Sequence, residues 1–393
     1  MRPPPMVDFA TAPFLVIWEI TQACDLACSH CRASAQPERH PGELTTAEGE
    51  QLLADTAAMG TPVFILSGGD PVKRPDLCHL IRYGKDRGLR IGTIPAATET
   101  LTEDLVRRLK DTGLDQMALS LDFPEATLHD TFRGVPGAFA RTMAAIEWAH
   151  GCALPLQINT TICGRSLPYL REMTELVARL GIVFWEVFFL VPVGRGIDLG
   201  GLTPDDCEAA FEIIYRVQKR VPFVVKVTEA PHYRRYVAQR EAEGSEGGPP
   251  PGSPRPQANG DVTQRQASGA AMPHLLTRSE GPGHTVGLAP RGVNAGNGFA
   301  FVSHTGDVFP SGFLPLSAGN VREQSVSAIY RHSPLFRTLR DPDALLGRCG
   351  RCEYRGICGG SRSRAYALIG NHLATDPWCA YEPGQAAAAL TTR

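Results

Sequence analysis

The chain has 393 residues, 43% hydrophobic and 20% charged, enough for one large domain of roughly 200–250 residues and a smaller one. A net charge of −2 and a pI near 6.6 offer no basis for nucleic-acid binding. No apolar stretch reaches the roughly 18 residues of a membrane-spanning helix, and Met1-Arg-Pro-Pro-Pro5 lacks a signal-peptide core, so a cytoplasmic protein without a membrane partner is expected.

After an N-terminal tail, residues 1–13, short apolar runs alternate with helical patterns. The runs fall at 14–20, 62–66, 89–95, 116–121, 154–161 and 183–191. Amphipathic segments lie between them at 46–59, 76–87, 102–111, 138–150 and 167–180. Thr45 and Glu48 read as a capping box opening the first helix. Such β/α alternation predicts a parallel sheet with right-handed crossovers. Six strands are too few for a closed eight-stranded barrel. The expected fold is therefore α/β, a partial (β/α)6 TIM-like barrel, whose core with its following helices spans 14–240. Within it, 204–240 reads as helix, strand (223–227) and helix.

Residues 241–283 are rich in Pro, Gly and Ser and are expected to form a disordered insertion. A small cysteine-rich domain, 284–393, is expected to follow. It begins with a β-hairpin at 298–309 around Thr305-Gly306-Asp307, then a helix at 326–330.

The eleven cysteines are many for a reducing compartment, where clustered thiols point to metal or redox chemistry. Cys78, Cys152, Cys163 and Cys207 are scattered and read as small apolar core residues. Cys24, Cys28 and Cys31 form a C-x3-C-x2-C loop directly after the first strand. Cubic 4Fe–4S clusters normally take four cysteines. Three ligands leave one iron open to a substrate. The second group is Cys349, Cys352, Cys358 and Cys379, whose spacing suits either tetrahedral zinc or an iron–sulfur cluster.

Ser67-Gly-Gly-Asp-Pro71 stands at the same end of strand two as the first cysteines do of strand one. With that pairing the chain resembles the radical S-adenosylmethionine (SAM) superfamily, although Asp70 replaces the Glu of its Gly-Gly-Glu-Pro motif. The resemblance implies a SAM-cleaving 4Fe–4S cluster on Cys24, Cys28 and Cys31, with SAM bound at the open iron and along Gly68, Gly69 and Asp70. One electron then releases a 5′-deoxyadenosyl radical.

In Ala118-Leu-Ser-Leu-Asp122 the resemblance places Ser120 beside SAM. In His129-Asp-Thr-Phe-Arg133-Gly134 it places Arg133 on the SAM carboxylate, with Arg141 as a rival, and in Gln157-Ile-Asn-Thr-Thr161 it places Asn159 near the ribose. The tail resembles the SPASM or twitch extensions that hold auxiliary clusters. Ser311 and Ser361 stand where fuller versions have cysteine, so one auxiliary 4Fe–4S cluster is expected, on Cys349, Cys352, Cys358 and Cys379.

Val191-Pro-Val-Gly-Arg-Gly196 and Cys358-Gly-Gly-Ser-Arg-Ser-Arg-Ala-Tyr366 are similar to the heme and heme d1 maturation branch. That likeness implies hydrogen abstraction from a carboxylate-bearing substrate, most plausibly a tetrapyrrole. It also implies decarboxylation or loss of a side chain. Arg195, Arg362 and Arg364 are candidate carboxylate partners, and a flavodoxin or ferredoxin is the expected reductant. The rival within enzymes is a maturase that crosslinks or epimerises a ribosomal peptide. The 23 residues before Cys24 leave no room for a recognition domain there. A non-catalytic zinc or iron–sulfur protein is the remote alternative.

Overall fold

The computed structural model describes residues 7–245 and 292–384. Seven strands follow in chain order: β1 (Leu15–Glu19), β2 (Val63–Ser67), β3 (Arg90–Thr93), β4 (Gln116–Ser120), β5 (Leu156–Ile162), β6 (Phe184–Phe189) and β7 (Val224–Thr228). Each pairs in parallel with its sequence neighbour. The intervening helices are α1 (Thr46–Ala58), α2 (Leu77–Asp86), α3 (Glu103–Asp111), α4 (Ala126–Arg133), α5 (Ala138–Gly151), α6 (Leu170–Val177) and α7 (Pro204–Gln218), and α8 (His232–Ser245) follows β7. Residues 241–245 end α8, and the rest of the expected insertion lies outside the described residues.

The expected hairpin forms from β8 (Phe299–Val302) and β9 (Val308–Phe309). Its first strand also pairs in parallel with β1, Leu15 opposite Phe299. Among the described residues the sheet therefore has nine strands, in the order β7-β6-β5-β4-β3-β2-β1-β8-β9. It is the expected partial barrel, extended by β7 at one edge and by the tail's hairpin at the other. The short helices α9 (Val326–His332), α10 (Pro334–Arg340), α11 (Gly347–Arg351) and α12 (Arg362–Ile369) complete the tail.

Alternation along the strands sorts side chains between two faces. Val16 and Trp18 of β1 are fully buried in the hydrophobic core that includes helix residues, while Leu15 and Ile17 line the barrel interior. The same rule sends Trp185 to the core and Glu186 inward. Helix α1 starts at the expected capping box, with the Thr45 N–H donating to Glu48 at 2.7 Å and the Glu48 N–H to the Thr45 hydroxyl at 3.2 Å. In the middle of α1, Gly49 makes room for Trp18: a Cβ there would lie 2.5 Å from the indole.

Candidate active site

The first cysteine loop leaves β1 and is clasped on three sides. On the β2 side, the Gly69 N–H donates to the Thr21 carbonyl at 2.8 Å and the Asp70 N–H to that of Ala23 at 2.6 Å. A Cβ on Gly69 would sit 2.4 Å from the Ala23 oxygen, and one on Gly68 2.6 Å from that of Thr21. Both glycines are thus required by close approach of this chain's own backbone, and both also line the central cavity.

On the second side, α4 ends against the loop, where the Ala27 and Ser29 N–H groups donate to the Arg133 and Phe132 carbonyls. These bonds satisfy acceptors that a helix C-terminus leaves open. On the third side, the loop after β6 brings the Arg195 N–H to the Cys31 carbonyl at 3.0 Å, and Arg195 Nε to that of Cys28 at 3.0 Å. Gly194 is left-handed (φ +56°), and a Cβ there would meet the Arg32 and Cys31 oxygens at 2.4 and 2.5 Å.

Cys24, Cys28 and Cys31 all face a cavity of about 350 Å³. Burial pushes the Cys24 thiol up to about 12. Burial also raises the Cys28 thiol, although Arg133, with Nη1 3.7 Å from its sulfur, opposes the shift. Neutral thiols are stable here until a cation arrives, and cluster iron displaces such protons to form the thiolates it binds. Three buried nitrogens on this wall have no protein partner: His30 Nδ1, Arg133 Nε and Arg195 Nη2. Arg133 and Arg195 bring positive charge to this wall, which favours an anionic occupant. The residues present fit a cluster with an anionic ligand beside it.

Of the remaining sequence candidates, Ser120 and Asn159 line the cavity and are register partners across β4 and β5. Arg133 lies in the same wall, with Nη2 paired to the buried Asp122 carboxylate. Asp122 holds this group in place and went unassigned in the sequence reading, although it lies within the quoted strand-four motif. Asp70 is fully buried and accepts from the Val72 and Ala96 N–H groups, each at 3.2 Å, and from the Thr98 hydroxyl at 3.1 Å. It braces the Gly68-Gly69 turn from behind. Arg141 donates to the Pro136 and Ala97 carbonyls and is not part of the cavity wall.

The four tail cysteines line one small pocket together with Gly359 and Gly360. Burial pushes the Cys358 thiol up to about 12 and also raises Cys352 and Cys379. Cys358 accepts from the Gly360 N–H at 3.3 Å, and Cys349 accepts from Arg362 at 3.6 Å and from the Asp376 N–H at 3.5 Å. Hydrogen bonds of this kind tune iron–sulfur potentials. Among the described residues, no three Cys, His, Asp or Glu side chains converge tightly enough for one shared metal ion. A four-iron cube stands between its thiolates and calls for a wider ring. Gly360 lines both this pocket and the central cavity. The four scattered cysteines form no disulfide; Cys163 and Cys207 are buried as expected, whereas Cys78 and Cys152 are only half-buried against the core.

Two expectations change. Arg362 and Arg364 are committed to the tail itself, Arg362 to the Gly360, His372 and Ala374 carbonyls and Cys349, and Arg364 to both oxygens of Asp376. Arg195 holds the cysteine loop through Nε and Nη1 and keeps Nη2 unpaired. Arg362 and Arg364 are therefore not free carboxylate partners. Ser311 and Ser361, at the places of missing cysteines, instead donate with Ser363 to the Glu229 carboxylate.

A radical SAM superfamily profile matches residues 18–177, and that of an iron–sulfur cluster-binding domain, SPASM, matches 294–353. The AdoMet-dependent heme synthase of Methanosarcina barkeri is 39% identical over 381 residues, 97% of this chain and all of that one. The chain belongs to the radical SAM superfamily. It is an enzyme of the heme-synthase branch, with a SPASM region in its tail, and the two domains imply iron–sulfur clusters and SAM as cofactors. The AdoMet-dependent heme synthase of Oleidesulfovibrio alaskensis is also 39% identical, over 98% of this chain and 92% of that one. Streptococcus suis SuiB, solved bound to its precursor peptide SuiA, shares the fold with a TM-score of 0.66 at 15% identity, over 94% of this chain and 76% of that one. No helix among the described residues is long and apolar enough to cross a membrane.

Proposed function

We propose that this radical SAM enzyme removes CO2 from propionate side chains of an iron porphyrin, leaving vinyl groups. One cluster would be held by Cys24, Cys28 and Cys31 and one auxiliary cluster by Cys349, Cys352, Cys358 and Cys379, with Gly68, Gly69, Ser120, Arg133 and Asn159 around SAM. When bound, these groups supply a 5′-deoxyadenosyl radical and a one-electron acceptor. With them bound, one hydrogen atom would leave the propionate carbon next to the ring and the C–C bond to the carboxylate would break. CO2 would leave, the vinyl double bond would form, and the one remaining electron would pass to the auxiliary acceptor. A flavodoxin or ferredoxin would supply the electron that cleaves SAM.

The carrying observation is Gly360, one residue whose two sides line the central cavity and the tail-cysteine pocket. A substrate in the cavity and a cluster in that pocket would thus share a wall at this residue. The heme-synthase relatives support the substrate class.

The test is anaerobic reconstitution to about eight irons per chain, followed by incubation with SAM, dithionite and iron coproporphyrin III. Formation of CO2, vinyl groups and 5′-deoxyadenosine in wild type, and none in Cys28→Ala, is the expected result. Deoxyadenosine formed without any porphyrin conversion, or conversion of a peptide instead, overturns the reading.

A further inference from the structure

We infer that Lys226 is the contact for a substrate carboxylate, an inference that rests on the tetrapyrrole reading above. Sheet register places it. Ser120 lies opposite Asn159, Asn159 opposite Glu186, and Glu186 opposite Lys226, one row across β4, β5, β6 and β7. All four line the central cavity. Strands stand about 4.8 Å apart, so Lys226 is roughly 10 Å along the row from Asn159. The row thus runs from residues assigned to SAM toward an opposite wall where a second molecule has room.

Among the cations of the wall, Lys226 is the one that stands on this row. Arg32 pairs with Glu19 and covers the Phe301 ring. Arg133 pairs with Asp122, and Arg195 holds the cysteine loop. Arg234 donates to Asn294 and to the Val293 and Ile357 carbonyls. Arg362 serves the tail. Lys226 donates to Glu186 at 2.8 Å, and its side chain is 20% exposed. An ammonium has three donors, so two remain for a ligand.

Glu186 is itself fixed, accepting from the Thr228 hydroxyl at 2.6 Å and from Gln157 at 2.9 Å. Gln157 is held in turn by Gln116 at 2.7 Å. The ammonium is thus set in place before a ligand arrives, which lowers the entropy lost on binding.

The test uses the full chain with both clusters. It compares binding of iron coproporphyrin III, which carries four carboxylates, with that of its tetramethyl ester. Wild type should favour the acid. Lys226→Met should weaken acid binding about tenfold or more and leave ester binding unchanged, and Lys226→Arg should keep the preference. Lys226→Gln, uncharged but still able to bond Glu186, is read by the same acid-to-ester ratio should the Met variant fold poorly. Acid binding as tight in Lys226→Met or Lys226→Gln as in wild type overturns the inference. A wild-type protein that binds neither porphyrin overturns the tetrapyrrole reading and the inference together, so the two failures are distinguishable.

Discussion

Glu229 holds a backbone conformation at odds with ordinary preference. Its φ is +58°, a conformation that glycine adopts freely and glutamate does not. Ser311 and Ser363 donate to one carboxylate oxygen, each at 3.0 Å, and Ser361 donates to the other. Arg364 adds a bond to the backbone carbonyl at 2.7 Å. Such strain persists only where the surroundings over-determine it, at about 1–3 kcal/mol per residue. Two substitutions separate the parts. Glu229→Ala removes the acceptor of three hydroxyls and keeps the strain. Glu229→Gly removes the same acceptor and relieves it. Both should be less stable than wild type by urea denaturation, and the Gly variant should exceed the Ala variant by about 1 kcal/mol. An Ala variant as stable as the Gly variant would show that the backbone there is not strained.

At the scale of elements, the loop after β6 locks the cysteine loop that follows β1. Gly194→Ala places a methyl where 2.4 Å separates it from the Arg32 carbonyl, at a left-handed position. The two backbones must part, and Arg195 goes with them. Iron and acid-labile sulfide should fall toward the amount of one cluster, and deoxyadenosine formation should drop at least about tenfold, as expected for a misplaced reaction centre. The tail cluster should stay, since the tail cysteines lie in a separate pocket. Equal loss of both clusters would instead indicate global unfolding.

The strands were legible because each is an apolar run with inward alternation. The capping box announced α1. Helix α4 escaped because it is only eight residues long and has no side-chain cap to mark its start. Pro168 splits the expected helix at 167–180 into a 3₁₀ turn, Leu167–Tyr169, and α6. Glu19 and Glu186 stand inside the apolar runs at 14–20 and 183–191, where nothing nearby in sequence marks their duty. Their partners, Arg32 with His304 and Lys226 with Thr228, are distant in sequence and local only in the fold. The cysteine groups were legible from spacing alone, whereas the duties of Arg195, Arg362 and Arg364 depend on carbonyls that only the folded chain gathers.

For the molecule as a whole, burial of neutral histidines sets the response to acid. His232 is fully buried with its ring edge against Phe211, and His129 accepts the Asp122 N–H at Nδ1. Burial lowers His232 to about 3 and both His129 and His30 to about 4, from an ordinary 6.5. Below pH 6.5 the unfolded chain takes up protons that the folded chain refuses until its own lower values are reached. Stability is therefore complete above pH 6.5 and declines between pH 6.5 and 4, by roughly 1.4 kcal/mol per pH unit for each histidine. Asp376 acts lower on the scale. Burial pushes it up, but Arg364 and His232 outweigh burial and hold it below the usual carboxylate range, so its contribution is lost only in stronger acid. Set against the 5–15 kcal/mol that stabilises a typical domain, three such histidines matter within one pH unit. The thermal midpoint of the cluster-loaded protein should fall steeply from pH 6.5 to pH 5, with cluster absorbance followed to separate unfolding from iron loss. His129→Gln keeps an acceptor for the Asp122 N–H and removes one of three titrations, so its slope should be about two-thirds as steep. An equal slope in this variant, or a wild-type midpoint flat across that range, would mean that these rings reach solvent and protonate in the folded state.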